Sequence, residues 1–209
     1  MAGAAPLPPF QLYSYVELTA ATGGWGDERR LGSGGFGEVY EGELPGGVRV
    51  AVKRLHCLPS LPAAAAEPAF RAEVNAMLAV CAGHPNLLPI LGACMDSPSP
   101  LCLVSPLMAG GSFFARLHEG AQAQATRPSP GGAATSAAAA APMPAAERLD
   151  ACIHAARALV YLHGRPQPVV HGDVKSMNVL LDPARGRHSC PHMEALLPPE
   201  CAHLNPPLN

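Results

Sequence analysis

Charge is scarce in this chain: only 14% of its 209 residues are Asp, Glu, Lys or Arg, against roughly a quarter in ordinary soluble domains. With a formal net charge of -2, no concentrated basic surface is available for nucleic acid or an anionic membrane, and neither is expected as a partner. Long hydrophobic runs are missing too. Met1 to Phe10 place no basic residue ahead of an apolar stretch, and no uncharged apolar run reaches the about 18 residues of a bilayer crossing. The chain as it stands is therefore read as neither secreted nor membrane-spanning. Its seven cysteines are odd in number and include no CxxC pair. That argues against a disulfide framework and a zinc ribbon, and leaves reduced thiols in the cytoplasm as the expectation.

What is present is an apolar fraction of 48%, enough for one domain core, together with 24 Pro and 21 Gly that make much of the chain punctuation. Residues 1–26 read as a leader ended by Gly23, Gly24 and Gly26. Short apolar strands follow at Arg30 to Leu31, Gly37 to Gly42 and Val48 to Leu55, separated by glycine turns and expected to be antiparallel. Phe70, Val74, Met77 and Leu78 recur at helical spacing between Glu67 and Val80. Leu87 to Ala93 and Leu101 to Ser105 are again apolar runs, and Ser112 is placed to cap a short helix through Leu117. Residues 27–118 thus read as strands, helix and strands. From 119 to 144 the composition is Ala, Pro, Gln, Ser and Gly without periodicity, read as a disordered insertion. Helical spacing returns through Leu149, Ile153, Ala156 and Val160 until Gly164 stops it, so a second lobe is expected over 145–182. Residues 183–209 read as an irregular tail. His188, Cys190, His192, Cys201 and His203 in that tail match no zinc spacing. The fold class expected is α+β.

Three motifs carry chemistry. Gly32, Ser33, Gly34, Gly35, Phe36, Gly37, Glu38 and Val39 spell GxGxxGxV, where glycine lets backbone amides approach phosphate oxygens. The same pattern opens dinucleotide-binding folds, but there a helix follows, whereas Glu38, Val39 and Tyr40 continue as a strand. Val50, Ala51, Val52 and Lys53 then put a lysine on the next strand, with Glu73 on the following helix as the carboxylate to hold it. Taken singly, such a lysine is usually a solvated strand residue and such a glutamate a helix's wet face. Their order after the glycine loop favours an ion pair that addresses nucleotide phosphates. His171 to Asn178 read HGDVKSMN, matching HxDxKxxN ahead of the apolar Val179 to Leu181. In this loop Asp173 can accept a hydroxyl proton, Lys175 can neutralise phosphate charge, and Asn178 can ligate magnesium. An ordinary turn could also hold an Asp and an Asn, but not with this whole pattern.

In this order the motifs resemble the eukaryotic protein kinase fold, over roughly Phe10 to Asp182, with an antiparallel N-lobe sheet plus one helix and an incomplete helical C-lobe. FQLYSYVELTAATGGW, HPNLLPILGAC and HGDVKSMNVLLD are similar to the receptor-like and Pelle branch. The resemblance implies ATP and Mg2+ as cofactors and a protein substrate with a Ser/Thr hydroxyl, Lys175 pointing to serine/threonine rather than tyrosine. It places Ser105 at the gatekeeper position. Pro106 and Met108 fall in the hinge, where the Pro106 carbonyl and the Met108 amide would meet adenine. Leu31, Val39, Ala51 and Leu180 would sandwich the base.

The chain also departs from the family. Gly172 stands where many kinases carry an arginine that reads activation-loop phosphorylation. After Asp182 no Asp-Phe-Gly, activation segment or Ala-Pro-Glu follows, so the chain reads as truncated after the catalytic loop. Magnesium would rest on Asn178 alone, a gap would open between His171 and Met77, and Ile153, Val160 and Leu162 would lack covering helices. Two functions follow: a serine/threonine protein kinase by family, impaired here, or a non-catalytic nucleotide-binding or decoy module.

Overall fold

The computed structural model describes residues 8–35, 37–56, 63–81, 83–96, 98–118, 142–182 and 187–189, without the side chains of 63–66 and 187–189. The fold is α+β, in two units: Leu107 and the described residues before it apart from 85–87, and those three with the residues from Met108 onward.

In the first unit, strands β1 (Gln11–Leu12), β2 (Arg30–Gly34), β3 (Gly37–Leu44), β4 (Val48–Leu55), β5 (Gly92–Cys94) and β6 (Cys102–Pro106) form one sheet. Its order is β1-β5-β6-β4-β3-β2, and β1 alone runs parallel to its neighbour. The three glycine-separated strands expected from sequence are all present and antiparallel. The run from Leu87 is strand only from Gly92 onward, although Leu87 to Leu91 are largely buried. Strand alternation sends Val50, Val52, Cys102 and Val104 to one face, where they form a core with Leu18, Leu44, Leu91 and Cys94. Helix α2 (Ala63–Cys81) starts earlier than expected and contains Pro68. Phe70, Val74, Met77 and Cys81 form its buried stripe.

The leader belongs to this unit's fold. Ser14 caps helix α1 (Tyr15–Ala21) through a reciprocal box with Glu17, and Leu18 is fully buried in the sheet core. Strand β1 lies so near β5 that a Cβ on Gly92 would meet the Gln11 carbonyl oxygen at 2.4 Å and the Tyr13 ring at 2.4 Å. Glycine is what lets the two strands pair.

In the second unit, Ser112 caps a helical stretch over 113–118 as expected, its Oγ accepting from the Ala115 amide at 3.1 Å. Helix α3 (Ala145–His163) ends at Gly164, also as expected. Its faces are unequal: Ala151, Ala158 and Leu162 are buried, whereas Leu149, Ile153 and Val160 are exposed, Val160 by 72%. Exposure of Ile153 and Val160 matches expectation, but Leu162 lies on the opposite side of the helix and is fully buried. Residues 119–141 lie outside the described residues. Met143, at the edge of the expected insertion, is buried with Ala151 and Leu181. The tail departs from its irregular reading: β8 (Arg187–Ser189) pairs antiparallel with β7 (Leu180–Asp182). Among the described residues, no helix is long and apolar enough to cross a membrane.

Candidate functional site

The glycine loop is the hairpin of β2 and β3, closed by the pair Gly34 and Gly37. The pairing shifts between Arg30 and Gly32, so Leu31 is an extra residue in β2, a bulge that locally sharpens the strand's twist. Its four glycines have different causes. A Cβ on Gly37 would meet the Arg54 carbonyl oxygen at 2.3 Å, and its φ is +154°, so packing against β4 demands glycine there. Around Gly32, Gly34 and Gly35 a Cβ would find no atom within 4 Å, and none has a positive φ. The fold has no need for glycine at these three positions. What the missing side chains leave is an accessible backbone in an exposed hairpin. Phe36 lies outside the described residues.

Register places the other nucleotide candidates of this unit on the sheet face opposite the apolar core. Val39 pairs with Lys53, Lys53 with Leu103, and Ala51 with Ser105. Residues 51 and 53 alternate with the buried Val50 and Val52, so Val39, Ala51, Lys53 and Ser105 share that face. Ser105 is buried, its hydroxyl donating to the Ala51 carbonyl at 3.4 Å. Pro106 pairs with Val50, where its missing amide proton costs no ladder bond that the strand end needs. Glu73 is half-buried on α2 beside Val74.

On the core side of the same strands is a polar network that the motifs alone did not disclose. Glu38 accepts from the Tyr40 hydroxyl at 3.0 Å and from the Arg54 guanidinium, and it faces Arg30 at 3.6 Å. Arg54 also donates to the Tyr40 hydroxyl at 3.3 Å, which closes a ring of three. Hydrogen bonds from Arg54 and Tyr40 hold the Glu38 carboxyl below its ordinary value. Burial pushes the Tyr40 phenol up, with Glu38 adding to it.

The second unit supplies the catalytic-loop candidates. Three backbone bonds tie residues 110–113 to β7 and the residue before it: Gly110 to Leu181 at 2.9 Å, Leu181 to Gly111 at 2.9 Å, and Phe113 to Val179 at 2.7 Å. Leu180 is thereby fixed in the ladder, bridged to Ser112. Met108 is half-buried, its carbonyl accepting from the Gly111 amide at 3.0 Å. Upstream of β7, His171 is 2% exposed, and its Nδ1 accepts from the Asp173 amide at 3.4 Å. Gly172, at φ +76°, makes the left-handed step between them. A 3₁₀ turn over Ser176–Asn178 returns Asn178 toward Asp173. The Asn178 amide donates to the Asp173 carbonyl at 2.9 Å and to its carboxylate at 2.7 Å, while the Lys175 ammonium stands 2.7 Å from the same carboxylate oxygen. The structure thus brings together the three residues that the HxDxKxxN spacing singled out.

The sequence from Asp27 to His188 matches the family described as protein tyrosine and serine/threonine kinase. The chain belongs to the protein kinase family. It is 43% identical over 166 residues to the leucine-rich repeat receptor protein kinase MSL1 of Oryza sativa, covering 79% of this chain and 10% of that one. It is 35% identical over 174 residues to the probable serine/threonine-protein kinase PBL28 of Arabidopsis thaliana, covering 82% and 40%. The chain therefore spans well under half the length of these curated relatives. A solved structure of the pseudokinase domain of BIR2, of the RLK/Pelle family, superimposes with a TM-score of 0.64 at 24% identity, covering 94% of this chain and 50% of that one. That likeness concerns the fold. The kinase-like fold and the receptor-like, Pelle-branch affinity expected from the motifs both hold.

A protein kinase generally uses ATP and Mg2+. Among the described residues no group of three His, Cys, Asp or Glu side chains converges. Asn178 turns its amide nitrogen to Asp173, which leaves its amide oxygen as the side-chain atom that could meet a dication.

Proposed function

We propose that this chain is a serine/threonine protein kinase module that binds ATP and presents a loop built for phosphoryl transfer to a protein hydroxyl. The observation that carries this reading is the Asp173 carboxylate, held by Asn178 and Lys175 in one loop. A carboxylate anchored on one oxygen keeps a fixed direction for the other, which is what accepting a substrate hydroxyl proton requires. In the reaction the substrate oxygen bonds to the γ-phosphorus as the bridging P–O bond of ATP breaks, and the hydroxyl proton passes to Asp173. Lys175 would screen the transferred phosphate. In the first unit, the bare backbone of Gly32, Gly34 and Gly35 suits phosphate oxygens, and Lys53, which Glu73 would hold, would meet them as well.

As the chain stands, no Asp-Phe-Gly follows Asp182. Transfer is therefore proposed to be slow, the loss of such a charge-stabilising group being worth several kcal/mol in the transition state. The second reading is a nucleotide-binding or decoy module without catalysis, favoured by the absence of Asp-Phe-Gly from residues 183–209. Nucleotide affinity and autophosphorylation, measured in parallel on the chain, Lys53→Met and Asp173→Asn, separate the two. Slow transfer that Asp173→Asn abolishes supports the kinase reading, while binding with no transfer supports the decoy. Robust turnover would overturn the proposed impairment, and binding indifferent to Lys53→Met would overturn the nucleotide reading itself.

A further inference from the structure

We propose that Glu38 is a positioning residue for the glycine loop, and that the leader, through Trp25, holds it in place. The inference rests on the nucleotide reading above and extends it to the control of the same loop.

Trp25 is the starting observation. Among the described residues it is the one non-glycine with positive φ, +63°, a conformation that costs a bulky side chain on the order of 1 kcal/mol or more and persists only where the surroundings impose it. Those surroundings are visible. Its ring stacks on Tyr15 at 5.4 Å and meets the edge of Tyr40 at 5.2 Å. Its indole N–H donates to the Thr19 hydroxyl at 2.9 Å, and the Arg54 guanidinium lies over its ring at 5.0 Å. Arg54 thus lies against both Trp25 and Tyr40, a cation over two aromatic rings.

The strain has an outlet in what Arg54 holds. Glu38 follows Gly37, the first residue of the loop's returning strand, and pairs in register with Ser33 of the outgoing one. Its carboxylate gathers Arg30 from β2, Tyr40 from its own strand and Arg54 from β4. Both arms of the hairpin are therefore tied to one carboxylate, on either side of the bulge at Leu31. The carboxylate in turn is tied to a guanidinium that the leader covers. Every residue of β2 is exposed, so side-chain packing adds little to the backbone ladder on that arm, and this network is what ties it by side chains to the rest of the sheet.

Hydrogen exchange on the full nucleotide-free chain tests the coupling directly. Trp25→Ala is expected to speed exchange about tenfold in residues 30–40 as well as in the leader, Glu38→Gln to do so in residues 30–40 alone, and Trp25→Phe to restore protection. Faster exchange confined to the leader in Trp25→Ala, or unchanged exchange at 30–40 in Glu38→Gln, overturns the proposal. Should Trp25→Ala fail to fold, Arg54→Met breaks the same link with Trp25 left stacked, and the same two outcomes apply. For the consequence at the site, Glu38→Gln is expected to weaken ATP about tenfold while leaving adenosine, which has no phosphates, unchanged. Equal weakening of both would mark a merely structural role and overturn the positioning claim. Failure of the nucleotide reading looks different, because Lys53→Met would then leave ATP affinity untouched whatever the exchange data show.

Discussion

In the first unit the candidates Val39, Ala51, Lys53 and Ser105 sit on strands paired on both sides, whereas in the second the candidate catalytic residues sit on an irregular loop held by a few polar contacts. Lys53 cannot slip its register without moving Val50 and Val52 out of an apolar core. Asp173 has no such ladder, and its aim depends on Asn178 and on the left-handed step at Gly172. Mutations should therefore act cooperatively in the sheet and locally in the loop.

The sharpest break of the first arrangement is Gly37→Ala, because the new Cβ would lie 2.3 Å from the Arg54 carbonyl oxygen. We expect a loss of about 3 kcal/mol in chemical denaturation. Gly32→Ala, with no neighbour within 4 Å, should cost less than about 1 kcal/mol. Equal costs would mean that the loop glycines serve folding alone. In the loop, Asn178→Ala removes the two hydrogen bonds that Asn178 gives Asp173 and should cost about 1–2 kcal/mol. Lys175→Met breaks an ion pair whose lysine is half exposed, and should cost no more than about 0.5 kcal/mol. A reversed order would show that the lysine, not the asparagine, fixes the carboxylate.

Most of the candidate site was legible because kinase-type chemistry needs particular residues at short spacing. Gly32 to Gly37, Lys53, Asp173 and Asn178 could be found without coordinates, and the alternation of Val48 to Leu55 and the stop at Gly164 gave two elements nearly to the residue. What escaped notice depends on distant partners. Strand β1 is two residues long and finds β5 across some eighty residues of chain, a pairing with no local signature. The β7 and β8 pairing was hidden in a tail of Pro, His and Cys. Helix α1 did carry a local signal, since Ser14 and Glu17 are spaced as a capping box. Nothing in the GGWG run could show that Trp25 stacks over Arg54, because Arg54 looks like the solvated neighbour of a motif lysine.

That capping box sharpens the comparison at smaller scale. Ser14→Ala removes the hydroxyl that caps α1 and donates to the Glu17 carboxylate, while the backbone N–H of residue 14 keeps its bond to that carboxylate. A cost of about 1 kcal/mol is expected, read as a lower Tm. Because Leu18 of this helix lies in the sheet core, the loss should appear in the unfolding of the first unit. No change in Tm would mean that the leader does not contribute to that unit's stability.

Acid should distinguish the same network most gently. Hydrogen bonds from the Ser14 amide and hydroxyl hold Glu17 below the ordinary 4.5, and those from Arg54 and Tyr40 do the same for Glu38. A carboxyl depressed in the folded state binds fewer protons there than in the unfolded chain. Its stabilising contribution is thus complete above about pH 5 and is lost as pH falls through 4.5 toward the folded value. Trp25 is the chain's single tryptophan and lies against Arg54, so its fluorescence reports this corner during an acid titration of thermal stability. Glu17→Gln and Glu38→Gln should each flatten the decline between pH 5 and 3, and Glu38→Gln should also shift the Trp25 emission at neutral pH. Since both carboxylates are solvent-accessible, each effect should be small, a few degrees of Tm across the interval at low salt and less at high salt. A decline as steep in both variants as in the parent would place the acid-sensitive groups outside this network, and would leave the cation against Trp25 and Tyr40 to hold the corner without help from its carboxylate.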